Sequence, residues 1–192
     1  MGAKGEETRA RLVRATRELM EAHGYSGTGL NQVLAESGAP RGSLYFHFPG
    51  GKDELIGQAL TEAGREVGEL ITDLTGTLTG EEGVAVLVAR LMEALGDRME
   101  QSGYTKGCPL ATVALEVSGS NEPLRRTCAD SYASWQRALS ELLVQEGRDP
   151  GRADASAGSV LALLEGSLLL ARVQRSRTPL DQGARAAATL LA

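Results

Sequence analysis

Apolar residues along this chain recur three and four positions apart, and nowhere do they alternate with polar ones for more than a few residues. That spacing builds helices and leaves no material for a sheet. Glycine and proline then cut the pattern into lengths. Residues 1–6 read as a loose tail. Residues 7–23 put Leu12, Val13, Leu19 and Met20 at helical spacing, and Gly24 stops the helix. Thr28 is a candidate N-cap for a short helix to Ser37, with Leu30, Val33 and Leu34 facing inward. Gly38 ends that helix, Pro40 suits the first turn of another over 40–47, and Pro49-Gly50-Gly51 breaks it. Further helices are expected over 52–74, 81–102, 109–117, 122–146, 152–176 and 180–192. The expected fold is all-α, about nine helices, with a three-helix head and a helical body. The expected division is a head over 1–51 and a body over 52–192.

Composition narrows what such a bundle can do. Hydrophobic residues make up 42% of 192 and charged residues 23%, an ordinary globular balance. Aromatics are only 4%, so the core rests on Leu, Val and Ala, and stacking of single strands on aromatic platforms is disfavoured. The net charge of −5 excludes a general basic coat. The charge is uneven, however: residues 1–52 hold seven Lys/Arg and five Asp/Glu, whereas the rest holds 13 and 20. Two cysteines twenty residues apart (Cys108, Cys128) and two remote histidines (His23, His47) cannot build a four-ligand zinc site of usual spacing or a disulfide scaffold. No nucleophile–base constellation or phosphate-cradling glycine loop stands out, so no enzyme, metal or cofactor is expected. No signal peptide is expected at the start. The apolar runs 83–89 and 159–171 are too short to span a bilayer, the second being interrupted by Glu165. A cytoplasmic protein with no membrane partner is expected.

The informative segment runs from Thr28 to Leu55, TGLNQVLAESGAPRGSLYFHFPGGKDEL. It reads as helix, a tight turn at Ser37-Gly38-Ala39, and helix, the spacing that sends a second helix into a DNA major groove. That second helix starts small and polar (Arg41, Gly42, Ser43) and continues Leu44, Tyr45, Phe46, His47, Phe48. Leu44 and Phe48 lie four apart and can share a buried face, leaving Arg41, Ser43, Tyr45 and His47 to other faces. At 1.5 Å per residue it spans about 12 Å, enough to cross one groove.

This segment resembles the DNA-binding head of the tetracycline-repressor (TetR) family. That family's pattern Gly-Val-Ser-x-Gly-Thr-Leu-Tyr-x-His-Phe, followed by a short turn, Lys and an acidic-Leu pair, is met here by Gly38 to Phe48 and then Pro49-Gly50-Gly51-Lys52-Asp53-Glu54-Leu55. The upstream Gly24-Tyr25 and Thr28 match as well. The PGGK turn and Gly107-Cys108-Pro109-Leu110 look like a subgroup that includes regulators of multidrug or antibiotic exporters. Two departures stand out: Ala39-Pro40 replaces the usual Val-Ser, removing a hydroxyl N-cap, and an extra glycine shifts Lys52. The resemblance implies a double-stranded DNA operator as partner. It implies phosphate contacts from Thr28, Tyr45, His47 and Lys52, close backbone approach at Gly42, a base or phosphate contact from Ser43, and reading of guanine by Arg41. Arg9, Arg11, Arg14 and Arg17 on the first helix are expected to be solvated.

In the body, Val84, Leu87, Val88, Leu91, Met92, Leu95 and Met99 form one apolar stripe, and Trp135 shares a helix side with Tyr132 and Leu139. The resemblance implies a cage around a small-molecule effector. Met92, Leu95, Met99, Cys108, Trp135, Leu139, Glu165 and Arg172 are the candidates, with ordinary core packing as the alternative for each. Glu165 among leucines must lie at an edge, be paired, or meet a ligand. Small residues at Ala155, Gly158, Ser159, Ala162, Gly166 and Ala171 permit close helix approach. The resemblance puts a homodimer interface on 152–176 and 180–192. Such an interface is also a geometric need, since two heads read a pseudo-palindrome only at a set separation. The expected function is a ligand-responsive dimeric repressor. The alternatives are a DNA-binding regulator without an inducer and a redox sensor acting through Cys108 or Cys128.

Overall fold

The computed structural model describes residues 2–192, and among these it contains nine α-helices and no strand. They are α1 Ala3–Gly27, α2 Leu30–Ser37, α3 Arg41–His47, α4 Lys52–Thr75, α5 Val84–Gln101, α6 Pro109–Val117, α7 Glu122–Gln145, α8 Pro150–Gln174 and α9 Thr178–Leu191. Eight of them lie within three residues of the expected bounds, and α1 runs four residues further at each end. Two N-terminal expectations are corrected. Residues 3–6 are helical rather than loose, with Glu6 in the first turn, where a carboxylate favours the positive end of the helix. Met1 lies outside the described residues.

The second correction concerns Thr28, which does not cap α2. The N-cap there is Gly29, with no side-chain cap. Thr28 instead closes α1: its hydroxyl donates to the Gly24 carbonyl at 2.6 Å, and its amide to the Tyr25 carbonyl at 3.2 Å. The reason is the kink. Gly24 adopts φ 69°, ψ −163°, inside what is otherwise one helix, and its freed carbonyl needs a donor. The expected stop at Gly24 is thus a break followed by one more turn.

The helices group into two compact units. One comprises residues through Gly64 together with Cys108–Ala129; the other comprises Arg65–Gly107 and Asp130–Ala192. This grouping differs from the expected division at 51/52. The first half of α4 packs with the head through Leu55, Ile56, Ala59 and Leu60, all buried, and α6 lies along α1. The core of the first unit is Leu12, Val13, Leu19, Met20, Val33, Leu44 and Phe48, joined by Leu110, Val113 and Leu124.

The second unit is built on α5, α8 and α9, which pack against one another. Its core is Leu87, Val88, Leu91, Met92, Trp135, Leu139, Leu143, Val160, Leu164 and Leu180. Polar clamps fasten its edges. The Arg177 guanidinium meets Asp97 and Glu100 and donates to the Glu93 carbonyl at 3.2 Å. Arg148 donates to the Leu191 carbonyl, and the Glu146 carboxylate accepts from the Val84 amide at 2.6 Å. The expectation that no segment is long enough to span a membrane counted only uninterrupted apolar runs. As a 25-residue helix, α8 is long and apolar enough by length and composition, with a window of mean hydropathy 1.4 that is one third buried. It carries Glu165 and Arg172 and packs on α9.

Candidate functional site

The helix-turn-helix is built as its sequence requires. Gly38 ends α2 in the left-handed conformation at φ 62°, where a side chain would be strained. Ala39 turns inward, and its amide donates to the Ser37 hydroxyl at 3.3 Å. Pro40 then stands just outside α3 as its N-cap. The missing hydroxyl cap is not replaced by another side chain: the Ser43 hydroxyl and amide both donate to the Pro40 carbonyl, at 2.6 Å and 2.9 Å.

Leu44 and Phe48 are both about 1% exposed and anchor α3, with the Arg9 guanidinium 5.3 Å over the Phe48 ring. This settles the other faces. Arg41 and Gly42 are exposed, and a Cβ added at Gly42 would meet nothing within 4 Å. Tyr45 is 62% exposed and Phe46 73%. His47 is half-buried, with Nδ1 closed off from solvent. A surface of one arginine, one glycine, a tyrosine hydroxyl and an imidazole edge suits contact with a phosphate backbone and with base edges.

Around this helix lies a polar frame that periodicity alone could not reveal. Arg41 Nη2 donates to Asn31 Oδ1 on α2 at 2.9 Å. The PGGK turn is held by Glu54, whose carboxylate accepts from the Gly50 amide at 2.7 Å. Lys52 Nζ sits 4.4 Å over the Tyr25 ring, in cation–π contact. The Tyr25 hydroxyl donates to Asp53 Oδ1 at 2.6 Å, and Asn121 Nδ2 donates to Asp53 Oδ2 at 2.9 Å. The bond to Asp53, partial burial and that residue's charge all raise the Tyr25 pKa. Thr28, one of the nominated phosphate contacts, is 1% exposed, and its hydroxyl is committed to Gly24.

The strongest element of this frame is Glu116 on α6. Its two carboxylate oxygens accept from the Tyr25 and Ser26 amides, each at 2.9 Å, directly after the Gly24 kink. Burial pushes the Glu116 pKa up. The Ser26 and Tyr25 hydrogen bonds and the Lys52 charge outweigh it, so the group titrates below its ordinary value. A depressed carboxylate contributes stability above its unfolded pKa of about 4.3 and loses it as the pH falls through the folded value. Glu116→Gln is therefore expected to lower the urea midpoint at pH 7, with the gap to wild type closing as the pH falls below about 4. A gap that stays constant into acid would show that the charge is not what matters.

The nominated effector residues are dispersed. Met92, Met99, Trp135 and Leu139 are buried in the second unit, Met92 beside Gly183 and Ser167, and Trp135 edge-on to Tyr132 at 5.3 Å. Leu95 is half-buried, and Arg172 donates to the Thr105 carbonyl at 2.8 Å. Both Glu165 carboxylate oxygens are closed off from solvent. Cys108 belongs to the first unit, at the start of α6. None of these eight residues lines the polar groove of about 280 Å³ formed by Ala133, Gln136, Arg137, Ser140, Glu141 and Asp154. Burial pushes the Cys128 thiol up to about 11, which makes it a poor redox nucleophile near neutrality.

Comparison with known proteins assigns this geometry. Residues 12–59 match the family model of bacterial regulatory proteins of the tetR family. Residues 85–186 match the C-terminal domain of LmrA/YxaF-like transcriptional regulators. The chain is 35% identical to the HTH-type transcriptional regulator LmrA of Bacillus subtilis, over 91% of each protein. It is 33% identical to the HTH-type transcriptional regulator Rv0196 of Mycobacterium tuberculosis, over 90% of this chain and 88% of that one. The fold matches the regulatory protein TetR of Rhodobacter sphaeroides with a TM-score of 0.83 at 21% identity, covering 94% of this chain and 96% of that one. With a helix-turn-helix head and both halves matched, the chain belongs to the TetR family of transcriptional regulators and is not an enzyme.

Proposed function

We propose that this regulator is a cytoplasmic, dimeric, ligand-responsive repressor. Residues 1–51 bind a pseudo-palindromic operator, and residues 52–192 dimerise and take a small apolar or amphipathic effector. The observation that carries the DNA reading is the outward set of α3. Arg41, Gly42 and Tyr45 are exposed on a helix whose inner face is locked by Leu44 and Phe48. Arg41 reads guanine, Ser43 meets a base or a phosphate, Tyr45, His47 and Lys52 meet the backbone, and Gly42 permits close approach. The phosphate contact expected of Thr28 falls instead to the exposed backbone of Gly29, the N-cap of α2, because Thr28 closes α1 with its hydroxyl committed to the Gly24 carbonyl.

The dimer reading is supported by the outer face of α8. Ala155, Ser159, Ala162, Gly166, Leu169, Leu170 and Val173 are all exposed and recur at spacings close to three and four. Small residues let a partner helix approach, and the large apolar ones at the end demand cover. Leu190 on α9 is exposed as well. The effector reading is supported by the family resemblance. To release the operator, an effector must favour the non-binding state. Moving a population from 1:99 to 99:1 takes about 5.5 kcal/mol of differential affinity.

The test is selection of genomic DNA fragments by the purified chain and by a Tyr45→Ala, His47→Ala variant at stated, physiological salt. Wild type is expected to enrich a few pseudo-palindromic sites, and the variant to lose them by on the order of 100-fold. Equal enrichment by both proteins would refute the assigned DNA face. Compounds handled by the products of neighbouring genes are then titrated against the complex. An unchanged operator affinity at saturation would leave a regulator without an inducer.

A further inference from the structure

The contact between Arg41 and Asn31 joins the two helices of the reading head through exposed side chains. Nothing in the packing requires it, since both side chains lie on the surface and their helices are anchored by Val33, Leu44 and Phe48. Its chemistry is constrained. Guanidinium has only donors, so Asn31 must turn its carbonyl Oδ1 toward Arg41, and the observed 2.9 Å bond from Nη2 has that sense. The bond has two consequences. It removes rotational freedom from a long side chain before DNA arrives, so less ordering is left for binding. It also fixes the direction of the Asn31 amide, leaving its Nδ2 hydrogens as the group that remains to be used.

The paired unit therefore leads with donors toward the groove, because its one acceptor atom, Asn31 Oδ1, is already turned to Arg41. In the major groove guanine presents O6 and N7, both acceptors, and thymine presents O4. Cytosine presents the N4 amino donor. A surface that leads with donors favours the first two, finds only N7 on adenine, and opposes cytosine. An asparagine reading adenine in the usual bidentate way would need Oδ1 aimed at the N6 amino group, and here Oδ1 is aimed at Arg41.

We propose that Asn31 is a specificity-determining positioning residue: it holds the Arg41 guanidinium over one guanine of each half-site and uses its own Nδ2 to prefer an acceptor edge, guanine or thymine over cytosine, at the adjacent base. This rests on the reading of Arg41 as a base contact. It extends that reading to a residue on α2 and to a second base position.

The experiment is selection from a library of inverted half-sites with randomised bases, using the full-length chain as wild type, Arg41→Ala, Asn31→Ala and Asn31→Asp. Wild type is expected to select guanine at one position and to exclude cytosine beside it. Arg41→Ala is expected to lose the guanine preference. Asn31→Ala is expected to relax it about tenfold and to lose the neighbouring preference, with thermal midpoint and salt dependence unchanged. Asn31→Asp still accepts from Arg41 but has no amide donor. It is expected to retain guanine and lose only the neighbour. Guanine lost in Arg41→Ala but selected at wild-type strength by Asn31→Ala overturns the role of Asn31 alone. Guanine retained by Arg41→Ala overturns the base-reading role beneath it. Guanine lost equally in Asn31→Asp and Asn31→Ala overturns positioning by the Oδ1 acceptor.

Discussion

Gly24→Ala is expected to cost about 3–5 kcal/mol of folding stability, read from urea unfolding. Gly24 holds φ 69° and ψ −163°, a region that residues with a Cβ essentially do not enter, and strain there costs about 1–3 kcal/mol. The added methyl would also collide with Glu116 Oε1 and come within 3.5 Å of the Thr112 carbonyl. Displacing Glu116 strips the Tyr25 and Ser26 amides of a charged acceptor, a loss of about 1.5–3 kcal/mol for bonds of this type. Because collision and clamp share one carboxylate, the two effects do not add independently. Glu116→Ala is expected to cost less in the Gly24→Ala background than in wild type, which a double-mutant cycle reads directly. A Gly24→Ala cost below about 1 kcal/mol would mean that the kink relaxes freely and that α6 does not fasten the end of α1.

On the proposed dimer, Val173→Glu is expected to leave a monomer at micromolar concentration and to weaken operator binding by on the order of 100-fold. Val173 is 74% exposed and continues the face that carries Leu169 and Leu170. A carboxylate placed there would be desolvated without a counter-charge in a close helix–helix interface. A single head binding one half-site loses the second, effectively intramolecular contact, which is where the affinity loss arises. Sedimentation gives the oligomeric state and operator titration the affinity. A variant that remains dimeric with full operator affinity would move the interface away from this face.

Much of this molecule could be read without coordinates. The 3.6-residue period needs only local information, and Gly38 and Pro49-Gly50-Gly51 cut it where the helices do begin and end, while α8 begins at Pro150, two residues before the expected start. The inward pair Leu44 and Phe48 was legible for the same reason: residues four apart share a helix face whatever surrounds them. Thr28 shows where such reasoning stops. A threonine before an apolar run reads as a cap, but its hydroxyl went to the carbonyl freed by the Gly24 kink, and no local rule ranks those two acceptors. The effector residues were the least legible. Spacing places Met92, Trp135 and Leu139 on inner faces, but a face that lines a cavity and one that fills a core have the same period.

By itself, then, the sequence determined the helices, their breaks, the buried side of the recognition helix and the membership of a regulator family. All of these depend on neighbours within a few residues or on one contiguous motif. Only the tertiary structure decided that Glu116, ninety residues on, clamps the Tyr25 and Ser26 amides, that Asp53 joins Tyr25 to Asn121, and that Asn31 holds Arg41. Those are hydrogen bonds between separate elements. Their partners are chosen by distance and donor–acceptor chemistry after the helices have packed, and a one-dimensional period carries neither.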